Sequence, residues 1–332
     1  MRNFGDDSTA SFSLSTFLSR YALVIATVVL FVFYSFLLPD TFPTMRNVQS
    51  MISSQSVIVL LAIGSTLTLR NGDFDLSISG NAIFSGSILG LLVVRHDAVP
   101  PALAIVIVLL CGLLIGAMNG VLVVIYELDA LVVTLGMFTL LSGLSLAAAG
   151  GGSLTGFPSG LVSFSTYRFL GLPAVAWFGF IAVIAAYYVY EHTPLGRYMY
   201  FIGGNRVATR LAGVNVTRVR VGTYLASGVA GSASGILLAG LMGGVDPTSG
   251  GQYLLQPFAA AFLGATAFTV GRVNALGTLA ALYFLVVGIT GIQMYGVSGW
   301  VTDFFNGTAL VLAIFAAGFA ERRRRSSAGS RA

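Results

Sequence analysis

Two places in this 332-residue chain gather side chains able to do chemistry: the carboxylates Asp73 and Asp75, and a polar, basic island running from Glu191 to Arg220. All 17 basic residues are arginine. A phosphate-binding loop of the GxxxxGK[ST] type needs a lysine to reach the nucleotide phosphates, and a Schiff-base enzyme needs one as its nucleophile, so neither can be built here. His96 and His192 fall on opposite expected surfaces, too far apart for a relay or a metal site. Cys111 is the single cysteine; it lies inside an apolar run and reads as a packing residue. No Ser-His-Asp, HExxH or paired-carboxylate arrangement stands out, so the expectation is a chain that is not an enzyme and holds no cofactor or metal of its own.

A carboxylate at membrane depth is costly enough to mark function. The favoured reading puts Asp73 and Asp75 at a cytoplasmic turn, as a solvated cap for a helix from Ser77 to Leu92. The other reading is a turn that dips into protein, where Asp75 would hold the backbone of a broken helix.

The surroundings are those of a membrane. Apolar residues make up 56% of the chain and charged residues 9%, and the apolar runs are about twenty residues long, enough to cross hydrocarbon. The runs predict an all-α, polytopic helical bundle of about ten transmembrane helices, near 17–38, 47–69, 76–94, 100–126, 130–149, 172–190, 219–243, 252–270, 274–296 and 301–320. Residues 1–16 are expected to be a flexible cytoplasmic N-terminus, 17–320 the transmembrane domain with a cytoplasmic loop at 191–218, and 321–332 a mobile basic tail able to meet anionic lipid. With the N-terminus inside, Arg70, Arg197 to Arg220, Arg272 and the tail arginines are all cytoplasmic, while Arg46, Arg95 and Arg168 are outside; the positive-inside rule demands that asymmetry. Small residues at every fourth position, Gly112, Gly116 and Gly120, and Ser227, Gly231, Gly235 and Ala239, give two helices flat packing faces. Nucleic-acid binding has no soluble domain to present it.

Within the island, Asn205 is a good N-cap, Arg206 to Ala212 is helix-compatible and Gly213 is a natural stop. Val207 and Leu211 then share one face, Arg206 and Arg210 another. Gly196, Gly203 and Gly204 allow a sharp entry. Physical reasoning leaves two uses open: a helix lying on lipid headgroups, or one docked on a cytoplasmic partner.

The island resembles the cytoplasmic loop of permease subunits from bacterial sugar ABC importers of the ribose and galactose type, on Gly196-Arg197, Ile202-Gly203-Gly204-Asn205, Ala208, Leu211 and Gly213-Val214-Asn215. Asn71 to Ile78 is similar to the family's GGIDLSVG element, with Asp73 where a glycine is common; Gly116 to Val123 resembles its GxxNGxLV element, Thr134-Leu135-Gly136 its TLG element, and Leu263 to Ala267 its GGTS turn. The resemblance covers about residues 45 to 320. It implies a coupling helix at Asn205 to Gly213 that sits in a groove of an ATPase subunit, with Gly196, Arg197, Gly203, Gly204, Arg206, Ala208, Arg210 and Leu211 as the ATPase-coupling residues. It also implies a second permease subunit, identical or paralogous, an external sugar-binding protein, and ATP and Mg bound only by the ATPase partner.

Asp75, Ser77, Asn81, Asn119, Thr134 and Gln293 are the candidates for a translocation path; Asn81, Asn119, Thr134 and Gln293 carry uncharged donors and acceptors that suit sugar hydroxyls, and weak contacts let substrate leave. Asn81, Asn119, Thr134 and Gln293 each read, taken alone, more readily as interhelical bonds. Asp246, Gln252 and Tyr253 fall near an outer connection and read as a plain turn, with contact to a binding protein as the other use. A permease for branched-chain amino acids, an ion-coupled secondary transporter and a structural membrane scaffold are the rivals. The location expected is the bacterial inner membrane, with both termini cytoplasmic.

Overall fold

A computed structural model describes residues 14–95, 99–297 and 299–329, with side chains from 20 to 315 within those ranges; His96 lies outside them. The first helices are α1 (Leu14–Leu37), α2 (Met45–Leu69), α3 (Ser77–Gly90), α4 (Pro101–Gly120) and α5 (Ala130–Ala149), α3 and α4 each ending in a π-helical turn. A strand β1 (Leu154–Thr155), a short α6 (Ser159–Thr166) and the hairpin β2 (Arg168–Phe169) and β3 (Leu172–Pro173) lead into α7 (Ala174–His192). Then come α8 (Pro194–Gly204), α9 (Arg206–Leu211), α10 (Val216–Met242), the strand β4 (Gly244–Val245), α11 (Leu255–Gly264), α12 (Ala275–Met294) and α13 (Val301–Gly329). β4 pairs antiparallel with β1, closing one end of the bundle.

Among the described residues, eight helices are long and apolar enough to cross a membrane, and Val301–Phe315 of α13 adds a shorter apolar stretch. The continuous helix expected at 252–270 is not there. α11 is a ten-residue half-helix, about 15 Å long. It starts against the middle of α2, where Gln256 donates to Gln55 at 2.9 Å, and ends where the Gly264 and Gly277 backbones touch at the start of α12. The chain before it, from Gly243 to Leu254, is short strand, turn and a 3₁₀ segment. Left-handed Gly243 stops α10, Phe268 and Gly271 have positive φ after α11, and an apolar run conceals those breaks. Irregular backbone at membrane depth is tolerated only where protein surrounds it, and Gly250 packs against Phe138 and Ile83. Nor does the helix stop at 320: α13 continues through the arginine run to Gly329, consistent with the helix propensity of arginine.

α10 is the centre of the bundle, packed by α2, α3 and α4. Lipid tails give helices little hydrophobic reason to associate, so close approach of small residues has to supply the contact. The two small-residue faces do this with separate partners. Gly112 and Gly116 of α4 lie against Ser232, Gly228 and Tyr224 of α10, whereas Gly231 and Gly235 of α10 lie against the Ile78 and Ala82 carbonyls of α3. α3 is buried nearly all round although rich in serine and asparagine.

Valine at Gly116 would drive its side chain into the Tyr224 carbonyl. Gly116→Val is expected to cost about 3 kcal/mol and to remove the monodisperse peak in size-exclusion chromatography. Gly222→Ala, where an added Cβ meets nothing, should leave that peak unchanged.

Candidate functional site: the α2–α3 turn and the α8–α9 loop

The turn between α2 and α3 is driven into the bundle. Gly72, at φ +76°, reverses the chain, and the turn around it is tied to α10 through Asn71, Asp73, the Phe74 carbonyl and Asp75. Asn71 donates to Thr223 at 2.8 Å. Asp73 accepts from both Nε and Nη2 of Arg220, at 2.7 and 2.8 Å, and from Nη2 of Arg206 at 2.7 Å. The Tyr224 hydroxyl donates to the Phe74 carbonyl at 3.0 Å. Asp75 accepts from the Ser77 amide and hydroxyl, at 3.2 and 2.6 Å, and from the Ser227 hydroxyl at 2.6 Å. Asn119 of α4 donates to Ser77 at 2.7 Å and reaches Asp75 at 3.5 Å.

These contacts correct the solvated-cap reading. Asp75 does bond the first amide of α3, but it is 1% exposed, and Asp73 is 2% exposed. Ser227 lies eleven residues along α10 from Val216, about 16 Å of rise, so Asp75 sits deep in the bundle. The turn behaves as the broken-helix alternative required.

The loop that follows α7 is folded by the residues that suggested it. Thr193 caps α8, accepting from the Gly196 amide, with Pro194 at the first helical position. Gly196 lies against the Val189 and Tyr190 carbonyls, and Gly203 against the Arg70 carbonyl; side chains there would hold α8 away from the bundle. Arg70 fixes the same corner, donating to the Val273 and Tyr190 carbonyls and pairing with Glu191 at 3.5 Å. Asn205 caps α9, accepting from the Ala208 amide at 3.0 Å, and Gly213 ends the loop at φ +85°. Of α9, Thr209 faces the protein, while Val207 is 70% and Leu211 84% exposed. Arg197, Gly204, Ala208 and Arg210 are exposed as well. A cavity of about 600 Å³ separates α9 from the α4–α5 connection, with Asp73, Arg206, Arg210 and Arg220 on one side and Glu127 and Asp129 on the other.

Of the path candidates, Asp75, Ser77 and Asn119 are brought into one cluster. Asn81 is fully buried beside it, donating to the Gly228 carbonyl at 2.7 Å and accepting from Ser85. Thr134 bonds the Ala130 carbonyl of its own helix, and Gln293 lies exposed at the end of α12, donating to Thr302 at 3.3 Å. Asp246 forms a plain turn with Thr248. Thr223 and Tyr224, which help complete the cluster, escaped sequence reasoning, and Ser227 was read there only as a packing residue; their one signal was polarity on or beside the small-residue face of α10.

Arginines 70, 206, 220 and 272 lie at one end of the bundle, linked through Asp73, the Val273 carbonyl and the stacking of Arg272 on Tyr200. Arg95 bonds Ala149 and Arg168 bonds Gly171, both at the opposite end.

Residues 47–314 match the family described as branched-chain amino acid transport system / permease component. The chain is 33% identical over 299 residues to the ribose import permease protein RbsC of Escherichia coli (strain K12), covering 88% of this chain and 91% of that protein. It is 29% identical to the RbsC of Haemophilus influenzae (strain Rd), covering 93% and 96% of the two chains. It is 28% identical to the autoinducer 2 import system permease protein LsrC of Salmonella typhi, covering 87% and 82%. No solved structure matches. A polytopic helical bundle, a capped loop helix with an apolar ridge, and a family match over most of the length agree: the chain belongs to the branched-chain amino acid transport system / permease component family, the ABC importer permeases.

Proposed function

We propose that this chain is the membrane-spanning permease subunit of an ATP-driven importer for a monosaccharide or related sugar, fed by an external binding protein. The single observation that carries the reading is α9: a capped helix braced against the buried α2–α3 turn, with Val207 and Leu211 turned away from the protein. An apolar ridge so braced suits the groove of a cytoplasmic ATPase better than free lipid, because a lipid-bound helix needs no rigid tie to the membrane core. ATP and Mg belong to that partner. The sugar assignment rests on the names of the relatives and on the neutral hydrogen-bonding side chains of the bundle.

A second permease subunit has a surface to meet. Along α5, Val132, Gly136, Thr139, Gly143 and Ala147 are exposed on one helical face, and nothing lies within 4 Å of a Cβ placed on Gly136 or Gly143. Small residues on a lipid-facing helix permit close approach of another helix.

One observation favours an ion-coupled transporter: Asp75 supplies the buried carboxylate such a protein needs. Its oxygens, however, are already engaged by Ser77 and Ser227.

The test is affinity purification from the native membrane in mild detergent, followed by mass spectrometry. An ATPase with a phosphate-binding loop should copurify; repeated isolation of stable protein without one would favour the ion-coupled reading. Orientation is checked in a Cys111→Ser background. Leu211→Cys should react with an impermeant maleimide only from the cytoplasmic side and Thr248→Cys only from outside, and the reverse pattern would invert the topology.

A further inference from the structure

We propose that Asp73 is a positioning residue that ties α9 to the membrane core, and that its bond to Arg206 sets how much sugar moves for each ATP hydrolysed. The inference rests on the reading of α9 as the ATPase-docking helix and adds the element that carries its motion inward.

One carboxylate holds two arginines of different exposure. Arg220 is 9% exposed and grips Asp73 through two nitrogens, a geometry that fixes direction as well as distance. Arg206 is 44% exposed and grips it through one. Arg220 belongs to α10, the central helix, and Arg206 is the first residue of α9. Asp73 is thus fixed from the core side and loaded from the surface side. Two residues further on, Asp75 is bonded to Ser227 and approached by Asn119. Displacing α9 therefore pulls on a turn whose next side chains lie between α3, α4 and α10.

The rest of α9 is loosely held. Val207 and Arg210 line the same cavity as Glu127 and Asp129, so on that side the helix has room to move.

The experiment compares wild type, Arg206→Gln and Arg206→Lys as full complexes with the copurified ATPase and binding protein in proteoliposomes. The probe is whichever labelled monosaccharide the wild-type complex takes up from a panel of pentoses and hexoses, and the readout is sugar moved per ATP hydrolysed. Arg206→Gln should lower that ratio about five-fold or more while the complex stays assembled and ATPase persists. Arg206→Lys, which keeps a charged donor, should stay within about two-fold of wild type. Because Asp73→Asn leaves Arg220 buried beside a neutral amide and is liable to misfold, it serves only in a cycle: Asp73→Asn with Arg206→Gln should be no worse than Asp73→Asn alone. An unchanged ratio in Arg206→Gln, or equal falls in uptake and ATPase that leave the ratio constant, would overturn the proposal. Absence of ATP-driven uptake in the wild type would overturn the functional reading itself, and the wild-type arm separates the two failures.

Discussion

Replacing Val207 and Leu211 together by aspartate is expected to cut copurification of the ATPase, and sugar uptake with it, by at least about 100-fold, because each exposed apolar anchor in a docked groove is worth about 2 kcal/mol. Neither side chain is packed in the chain itself. The variant should therefore insert and purify like the wild type, with an unchanged melting transition. If α9 instead lay on lipid headgroups, the same change would weaken membrane contact while leaving any ATPase bound. Quantitative mass spectrometry of the purified complex, normalised to the permease, reads the difference.

Asp75→Ala is expected to have the largest effect on folding. It removes the acceptor for the Ser77 amide, the Ser77 hydroxyl and the Ser227 hydroxyl at once, in a site closed to water. A buried donor left without a partner costs about 1 to 3 kcal/mol. With three donors stranded in one site, a loss of about 3 kcal/mol is expected, read as a lower melting temperature in detergent. Asp75→Asn should retain most of the stability, since one amide oxygen still accepts from both the Ser77 amide and hydroxyl and its NH2 can donate to the Ser227 hydroxyl. Equal loss in the asparagine variant would mean that the negative charge is itself needed, and would strengthen the ion-coupled reading.

Local rules carried the reading a long way. The α9 boundaries follow from Asn205 and Gly213, whose capping chemistry needs no tertiary information. Gly112, Gly116, Gly231 and Gly235 do mark close helix contacts, but not each other as partners, because a four-residue spacing fixes a face without fixing what meets it. The depth of Asp73 and Asp75 was not legible. Their burial depends on Arg220, Tyr224 and Ser227, about 150 residues away and set beside them only by the packing of α10. The broken eighth crossing was hidden for a different reason. Hydropathy counts apolar residues and is blind to the 3₁₀ segment ending at Tyr253 and to the positive φ of Phe268, which leave only Leu255–Gly264 of that segment α-helical.

The most direct test of the central claim is reconstitution of the purified permease into proteoliposomes, with and without its ATPase and binding protein, followed by labelled monosaccharide uptake. Uptake that requires all components and ATP, and that persists when a protonophore and a sodium ionophore collapse the gradients, is the predicted result. Uptake by the permease alone that collapses with those ionophores would contradict the account.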